Sequence, residues 1–381
     1  MGFSNLKQTL VSNLSNVPGW RTPRKLVVFE SDDWGSIRTS TIDAVNLLMA
    51  KGIDFSSLDA DRYTYNDTLA TEEDLSELFE VLSSVKDGNG HSAVFTAMSL
   101  VANPDFRKIQ ENGFNKYYYE PITETLKRHH GCENSFELWR EGIQKEIFIP
   151  QFHGREHLNV TAWMNALKNN HEETLDVFNE GMWGYVNSFI DDRIINYQEA
   201  FNIYDPNEIS FLEEVISDGL DLFNKLFGYH AKAFVAPNGP FTNQLEKTLA
   251  KNGIRYITQA KIQYEALGYG KTKKVLRYLG MKNRWDQIYL TRNCFFEPSS
   301  KENVNWVDSC LNQIQMAFKW HKPAIISTHR VNYTGGLNKE NRENGLSQLK
   351  DLIKGIIKNW PEVEFLSSDK LGDTIHEGKK K

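Results

Sequence analysis

Short apolar runs recur along the chain, bounded by polar and turn-forming residues and separated by stretches whose apolar positions repeat with helical period. The runs Leu26–Glu30, Ala93–Thr96, Ile147–Pro150, Ala233–Ala236, Arg255–Thr258, Ile288–Phe295 and Ala324–Ser327 read as strands, and Val363–Leu366 as a short last one. Between them, "TEEDLSELFEVL" opens on Thr71 as a helix cap and buries Leu75, Leu78, Phe79 and Leu82 on one face. Val304, Val307, Leu311, Ile314 and Phe318 form a second stripe, and Leu346, Leu349, Ile353, Ile356 and Ile357 a third. These stripes are core faces. Alternation of strand and helix predicts a parallel α/β sheet. Seven or eight strands suit a distorted (β/α) barrel, expected as one domain over residues 1–381 with helical insertions at about 97–146 and 154–232.

Composition narrows the field. With 40% hydrophobic and 25% charged residues among 381, the chain has the material for a sizeable core. Its 44 basic and 50 acidic residues give a net charge of −6 with no basic stripe, which argues against nucleic acid as a partner. Cys132, Cys294 and Cys310 are isolated, offering neither zinc-finger spacing nor a disulfide framework. No apolar run is long enough for a membrane span, and the first twenty residues lack the pattern of a secretory leader. Leu6 stands where a myristoylation motif wants Ser or Thr. A cytoplasmic location is the expectation.

Barrel enzymes carry their reactive groups just past the C-terminal ends of the strands. At those places this chain has Asp32 and Asp33 in "KLVVFESDDWGS", His153 and His157 in "HGREH", the turn "PNGPF" from Pro237 to Phe241, and His329 with Arg330. A second acidic pair, Asp191–Asp192, lies in a helix-like stretch and reads as a solvated face. Two histidines four apart can converge on one ion from one face of a helical turn, and an Asp completes a nitrogen, nitrogen, oxygen set for zinc or a similar divalent metal. Adjacent ionised carboxylates repel, so burying both calls for a cation. One Asp on a metal and the other on a water would resolve that conflict.

The order and content of these segments resemble the polysaccharide deacetylases, carbohydrate esterase family 4. "FESDDWG" is similar to that family's strand followed by Asp-Asp-Gly, with Trp34 inserted. "HGREH" matches its His-x-x-x-His, "FVAPNGPF" loosely matches its Pro-rich turn, and "AIISTHR" its strand ending in His. The resemblance spans about Lys25 to Arg330. It implies Asp32 as general base, Asp33, His153 and His157 as ligands of a divalent metal, most simply zinc, and His329 as the acid that protonates the leaving amine. It also implies a backbone N–H near Asn238 for the oxyanion. The family's third motif carries an Arg that steadies the catalytic Asp; the matching position here is Val235, with Arg155 and Arg330 as candidate substitutes.

The expected reaction is removal of an acetyl or similar acyl group from an N-acetylated carbohydrate or related amide, with a small molecule or oligosaccharide as partner. Trp34, beside the site, is the expected sugar-stacking residue. Three other readings compete. One is a glycoside hydrolase pairing a carboxylate with Glu297. Another is a non-catalytic carbohydrate-binding relative that lost turnover with the Arg. The third is an interaction protein with chance motifs.

Overall fold

A computed structural model of the chain describes residue 13 and residues 16–55, 60–185, 196–300 and 304–378. The Asp191–Asp192 pair, the first twelve residues and the lysines at 379–381 lie outside the described residues. Nine strands form the main sheet: β1 (Leu26–Trp34), β2 (Phe95–Leu100), β3 (Phe148–Gly154), β4 (Ala233–Val235), β5 (Tyr256–Thr258), β6 (Ile288–Leu290), β7 (Cys294–Phe295), β8 (Ala324–His329) and β9 (Glu364–Phe365). They run in the order β6-β5-β4-β3-β2-β1-β8-β7, and every pairing is parallel. β9 pairs with Leu26 and Val27, in the place left open by β2, which starts opposite Phe29.

The two edge strands, β6 and β7, are consecutive in the chain. Only Thr291, Arg292 and Asn293 separate them, so the edges lie within about 14 Å of one another. The sheet therefore curls round into a nearly closed (β/α) barrel. The apolar run Ile288–Phe295 is two strands and not one, because it crosses this seam.

Side chains alternate across a strand, and β1 shows what that alternation separates. Val27 and Phe29 face outward and pack among the helices Glu72–Ser83, Trp306–Lys319 and Lys339–Asn359. Leu26 and Val28 face inward with Ala233, Tyr256, Ile288, Leu290 and Ile325, and the helix Ser368–Gly378 closes that end with Leu371 and Ile375. Glu30 and Asp32 continue the inward series. The barrel interior thus grades from apolar at the start of β1 to charged at its end.

The helix at residue 71 begins as expected: the Thr71 hydroxyl accepts from the Asp74 N–H, and the Asp74 carboxylate accepts from the Thr71 N–H. Its buried face is Leu75, Leu78, Phe79 and Leu82, as its period predicts. The stripe from Val304 is rotated: Cys310, Ile314 and Ala317 are the buried positions, while Val304 precedes the helix and is exposed. All three cysteines are buried and unpaired. The segment 154–232 carries helices Val160–Lys168, Glu172–Asn179 and Ile209–Phe227; the segment 97–146 also holds a strand pair, Ala102–Pro104 with Tyr119–Pro121. A further antiparallel hairpin, Ile262–Gly268 with Lys271–Leu276, has no counterpart in the apolar pattern because much of its surface is solvent-facing. Among the described residues no helix is long and apolar enough to cross a membrane.

The helix Lys339–Asn359 lies directly on the turn that follows β8. A Cβ at Gly345 would fall 1.7 Å from the Asn332 carbonyl oxygen, so only glycine permits this approach. Gly345→Ala is expected to destabilise the protein by about 1–3 kcal/mol through forced displacement of the helix, measured by urea unfolding. A variant of unchanged stability would show that the helix is not held there.

Candidate metal centre and catalytic groups

The strands extend past the apolar runs that announce them. Asp32 and Asp33 lie within β1, His153 within β3, and His329 is the last residue of β8. The parallel ladder continues through these polar residues, with Asp32 opposite His329 in register. On a regular strand, Asp32 and Asp33 would point to opposite faces. They do not act as a regular pair because the β1–β2 register shifts between Ser31 and Trp34 and Asp33 adopts φ +74°. This local bulge, an uncommon conformation for a non-glycine residue, gives each carboxylate its own set of partners.

Asp33 meets the two histidines. One oxygen, Oδ1, lies 3.3 Å from His153 Nε2 and 3.1 Å from His157 Nε2. All three residues are buried, and their donor atoms lie within 4.8 Å of one another. The histidines do not share a helical turn: His153 ends a strand, Gly154 has φ +144°, and His157 sits in the loop beyond. The left-handed glycine, not helical spacing, brings the rings together.

The tautomer of His153 bears on what fits here. Its Nδ1 lies 2.9 Å from the Val235 carbonyl, which can only accept, so Nδ1 carries a proton. In the neutral ring Nε2 is then a bare lone pair aimed at a carboxylate oxygen. That arrangement is repulsive alone and favourable around a cation, and a carbonyl fixing the far nitrogen is how metal-ligating imidazoles are commonly oriented. Two nitrogens and one oxygen so placed fit a divalent metal with positions left open. Burial pushes the Asp33 carboxyl up; His157 and His153 bring it well below the ordinary range only as protonated, donating rings, so with both rings neutral a bound cation would take over that part. Burial lowers the His157 pKa, which favours the neutral, ligand-competent ring. Trp183 stacks on that ring with centroids 5.9 Å apart.

Asp32 is held by Arg292. The guanidinium donates from Nη1 at 2.6 Å and from Nη2 at 2.5 Å to the two carboxylate oxygens, and from Nε at 2.7 Å to Glu30. Nη1 also reaches Ser327 Oγ at 3.2 Å. Glu30 is fully buried and accepts further bonds from Thr258 Oγ1 and Ser368 Oγ. Burial raises the Asp32 pKa, and the Arg292 charge and hydrogen bonds outweigh it, keeping the carboxylate ionised below its ordinary value. Arg292 itself is held charged by Asp32 and Glu30 against the effect of burial.

Arg292 therefore makes the contact to Asp32 for which Arg155 and Arg330 were the expected candidates, in place of the side chain that Val235 does not supply. Arg155 is spent on Glu156 and Asp218, and Arg330 on Asp67 and the Ser36 carbonyl. The sequence did carry a signal. Thr291, Arg292 and Asn293 are three polar residues inside a run otherwise read as one continuous strand.

His329 faces Asp32 across the site, Nε2 to Oδ2 at 3.8 Å. Its Nδ1 donates to Glu297 Oε1 at 2.6 Å. Glu297 is in turn fixed by Arg62 at 3.1 Å and by the Asn332 amide at 2.9 Å. Burial alone would lower the His329 pKa, but Glu297, Asp33 and Asp32 raise it to about 9. Burial pushes Glu297 up, and His329 and Arg62 bring it below its ordinary value.

Two expected substrate contacts fare differently. Trp34 is 1% exposed; it donates to Ser31 Oγ and packs edge-on against Trp139 and Phe148. It is a core residue and offers no face to a sugar, because the bulge that aims Asp33 at the histidines turns Trp34 outward into the helix layer. Asn238 is exposed at φ +57° in the turn after β4, the strand whose Val235 carbonyl orients His153.

No family model matches the chain, and no curated protein matches it. Solved structures do. A protein assigned as a polysaccharide deacetylase from Mycobacterium smegmatis is 11% identical with a TM-score of 0.44, covering 95% of this chain and 94% of that one. An allantoinase is 10% identical with a TM-score of 0.46, covering 94% and 92%. A carbohydrate esterase family 4 pseudoenzyme from Bacillus anthracis is 9% identical with a TM-score of 0.36, covering 92% and 66%. Likenesses at this level assign neither activity nor substrate to this chain.

Removing Arg292 would leave Glu30 and Asp32 buried without their cation. Arg292→Met is expected to cost about 3–5 kcal/mol in chemical denaturation. Adding Glu30→Gln to that variant should recover part of the loss, and a double variant no better than the single would exclude the buried carboxylate as the cause.

Proposed function

We propose that this chain is a metal-dependent hydrolase of carbon–nitrogen bonds that removes an acetyl or similar acyl group from an N-acetylated carbohydrate or related amide. One observation carries the reading: Asp32 and His329 face each other in register, each fixed by its own buried counter-charge, next to a three-ligand cluster. That arrangement keeps a base ionised and an acid protonated in the same site, which is the condition for paired acid–base work on an amide.

Asp33, His153 and His157 would hold the metal, with zinc the simplest choice for this donor set. When bound, a divalent ion there would supply Lewis-acid polarisation of a carbonyl and acidify a water. The chain's own residues do the rest. Asp32, clamped on both oxygens by Arg292, accepts the proton of the attacking water. The backbone N–H near Asn238 donates to the oxygen on which negative charge develops. His329 carries its proton on Nε2 and delivers it to the departing amine, while Glu297 on Nδ1 stabilises the cationic ring until transfer.

The contact of Arg292 with Asp32 favours the catalytic reading over the inactive-relative one, which was motivated by the absence of a supporting Arg. The glycoside-hydrolase reading needs Glu297 as a free acid. Its oxygens are committed to His329, Arg62 and Asn332, and it is held ionised.

Metal content per chain is the first measurement. About one equivalent is expected in the wild type and in Asp32→Asn, and loss of metal in His153→Ala, because one ligand of three is gone. Turnover of N-acetylated oligosaccharides should vanish in both variants. A wild type that takes up no zinc, or an Asp32→Asn protein that still turns over, would overturn the reading.

The acid must begin protonated, so activity should hold through neutral pH and fall as pH rises through about 9. A raised folded-state pKa also means that the His329–Glu297 pair contributes its full stability below the unfolded value and loses it over that same rise. Glu297→Gln takes away the largest raising influence, so the alkaline limb of a kcat–pH profile should move to lower pH. An unmoved limb would assign it to another group.

A further inference from the structure

Among the buried arginines, Arg38 stands apart. Arg292, Arg330, Arg155 and Arg342 each face a carboxylate at hydrogen-bond distance. Arg38 is 8% exposed and has no ion pair or hydrogen bond among the described residues; its Nε is buried with nothing to receive its proton. Guanidinium does not deprotonate in proteins, so this is a largely buried cation with no hydrogen-bonded counter-charge; the carboxylate that feels it, Asp67, is already bonded to Arg330. The guanidinium lies on the face of Tyr63, its carbon 4.3 Å from the ring centroid.

Its neighbours place it at the site. The stem of Arg38 lies over Gly184, where a Cβ would come within 3.0 Å of Arg38 Cγ. Gly184 adjoins Trp183, whose ring stacks on the ligand His157. On the other side the Tyr63 ring stands edge-on to the acid His329, with centroids 6.0 Å apart. Arg38 thus spans the gap between the metal side and the acid side of the centre. Arg62, on the Tyr63 ring at 4.6 Å, already shares Glu297 with His329.

We propose that Arg38 binds an oxyanion, a carboxylate or a phosphate, that the substrate carries close to the amide being cleaved. The inference rests on the hydrolase reading above and narrows its substrate to acidic N-acyl compounds. A guanidinium presents a planar fork of N–H donors that matches either anion two-pronged, and here no protein hydrogen bond must be broken to engage it. A neutral sugar amide would leave that donor set unsatisfied. A cation held unpaired until substrate arrives discriminates strongly, because a ligand lacking the anion forgoes the whole interaction.

The test uses the full chain with its metal, inorganic phosphate and acetate as probes, and calorimetric titration as the readout. Wild type is expected to bind at least one probe. Arg38→Gln should weaken that binding about tenfold or more, and Arg38→Lys, which keeps the charge but not the fork, should restore only part of it. Metal content should be equal in all three. Ligand-free Arg38→Gln should unfold at the same or a higher temperature, since it removes a largely buried charge that has no hydrogen-bonded counter-ion. Preference for phosphate over acetate, or the reverse, assigns which oxyanion the substrate carries. Equal affinity in wild type and Arg38→Gln, or no binding of either probe, with metal retained, overturns the proposal and leaves the hydrolase reading standing. Arg38-dependent anion binding in a chain that takes up no metal upholds the anion site and overturns that reading.

Discussion

Burying two carboxylates on one strand requires a cation placed between them, and the structure is organised around that requirement. Glu30 and Asp32, two residues apart on β1, both face the barrel interior, and Arg292 bridges them. Uncompensated, either charge would oppose folding by several kcal/mol. Arg292 sits in the three-residue seam where the sheet's edges meet, so the same guanidinium ties the seam to the first strand. Through Glu30 the network continues to Thr258 on β5 and Ser368 on the C-terminal helix. Closure of the barrel and ionisation of the proposed base are thus one interaction.

A second constraint lies in the backbone. An unbroken β1 would send Asp33 to the helix layer, away from His153 and His157. The bulge with Asp33 in the left-handed region reverses this at a conformational cost of order 1–3 kcal/mol. The neighbouring carboxylates are then divided between chemistries: Asp32 to a guanidinium, Asp33 to imidazoles. Trp34 is carried outward by the same distortion and packs with Trp139 and Phe148, which anchors the bulge in the outer core.

The acid side repeats the logic with other residues. His329 is stabilised as a cation by Glu297, which would be costly to bury were it not shared with Arg62 and Asn332. The proposed base and acid therefore hold opposite charges at neutral pH without neutralising one another: at 3.8 Å they face each other, but each has a closer partner. Support for the base comes from a position in space, not from a fixed position in the chain. The guanidinium on Asp32 comes from the seam between β6 and β7, not from the turn that follows β4.

The sequence by itself determined the fold class, since uninterrupted apolar runs alternating with helical stripes leave few alternatives to a parallel barrel. It also made the cluster of Asp32, Asp33, His153, His157 and His329 legible, because these residue types are distinctive and each follows an apolar strand run. Local patterns marked the cap at Thr71 and the face Leu75, Leu78, Phe79 and Leu82. What only the tertiary structure decided were pairings between distant parts of the chain. Arg292 and Asp32 are 260 residues apart, and no local period links them. The split of Ile288–Phe295 at the barrel seam, the burial of Trp34 and the lack of a hydrogen-bonded partner for Arg38 among the described residues likewise depend on the tertiary fold. Local sequence sets which residues can titrate, ligate or pack; which of them meet is set by closure of the sheet.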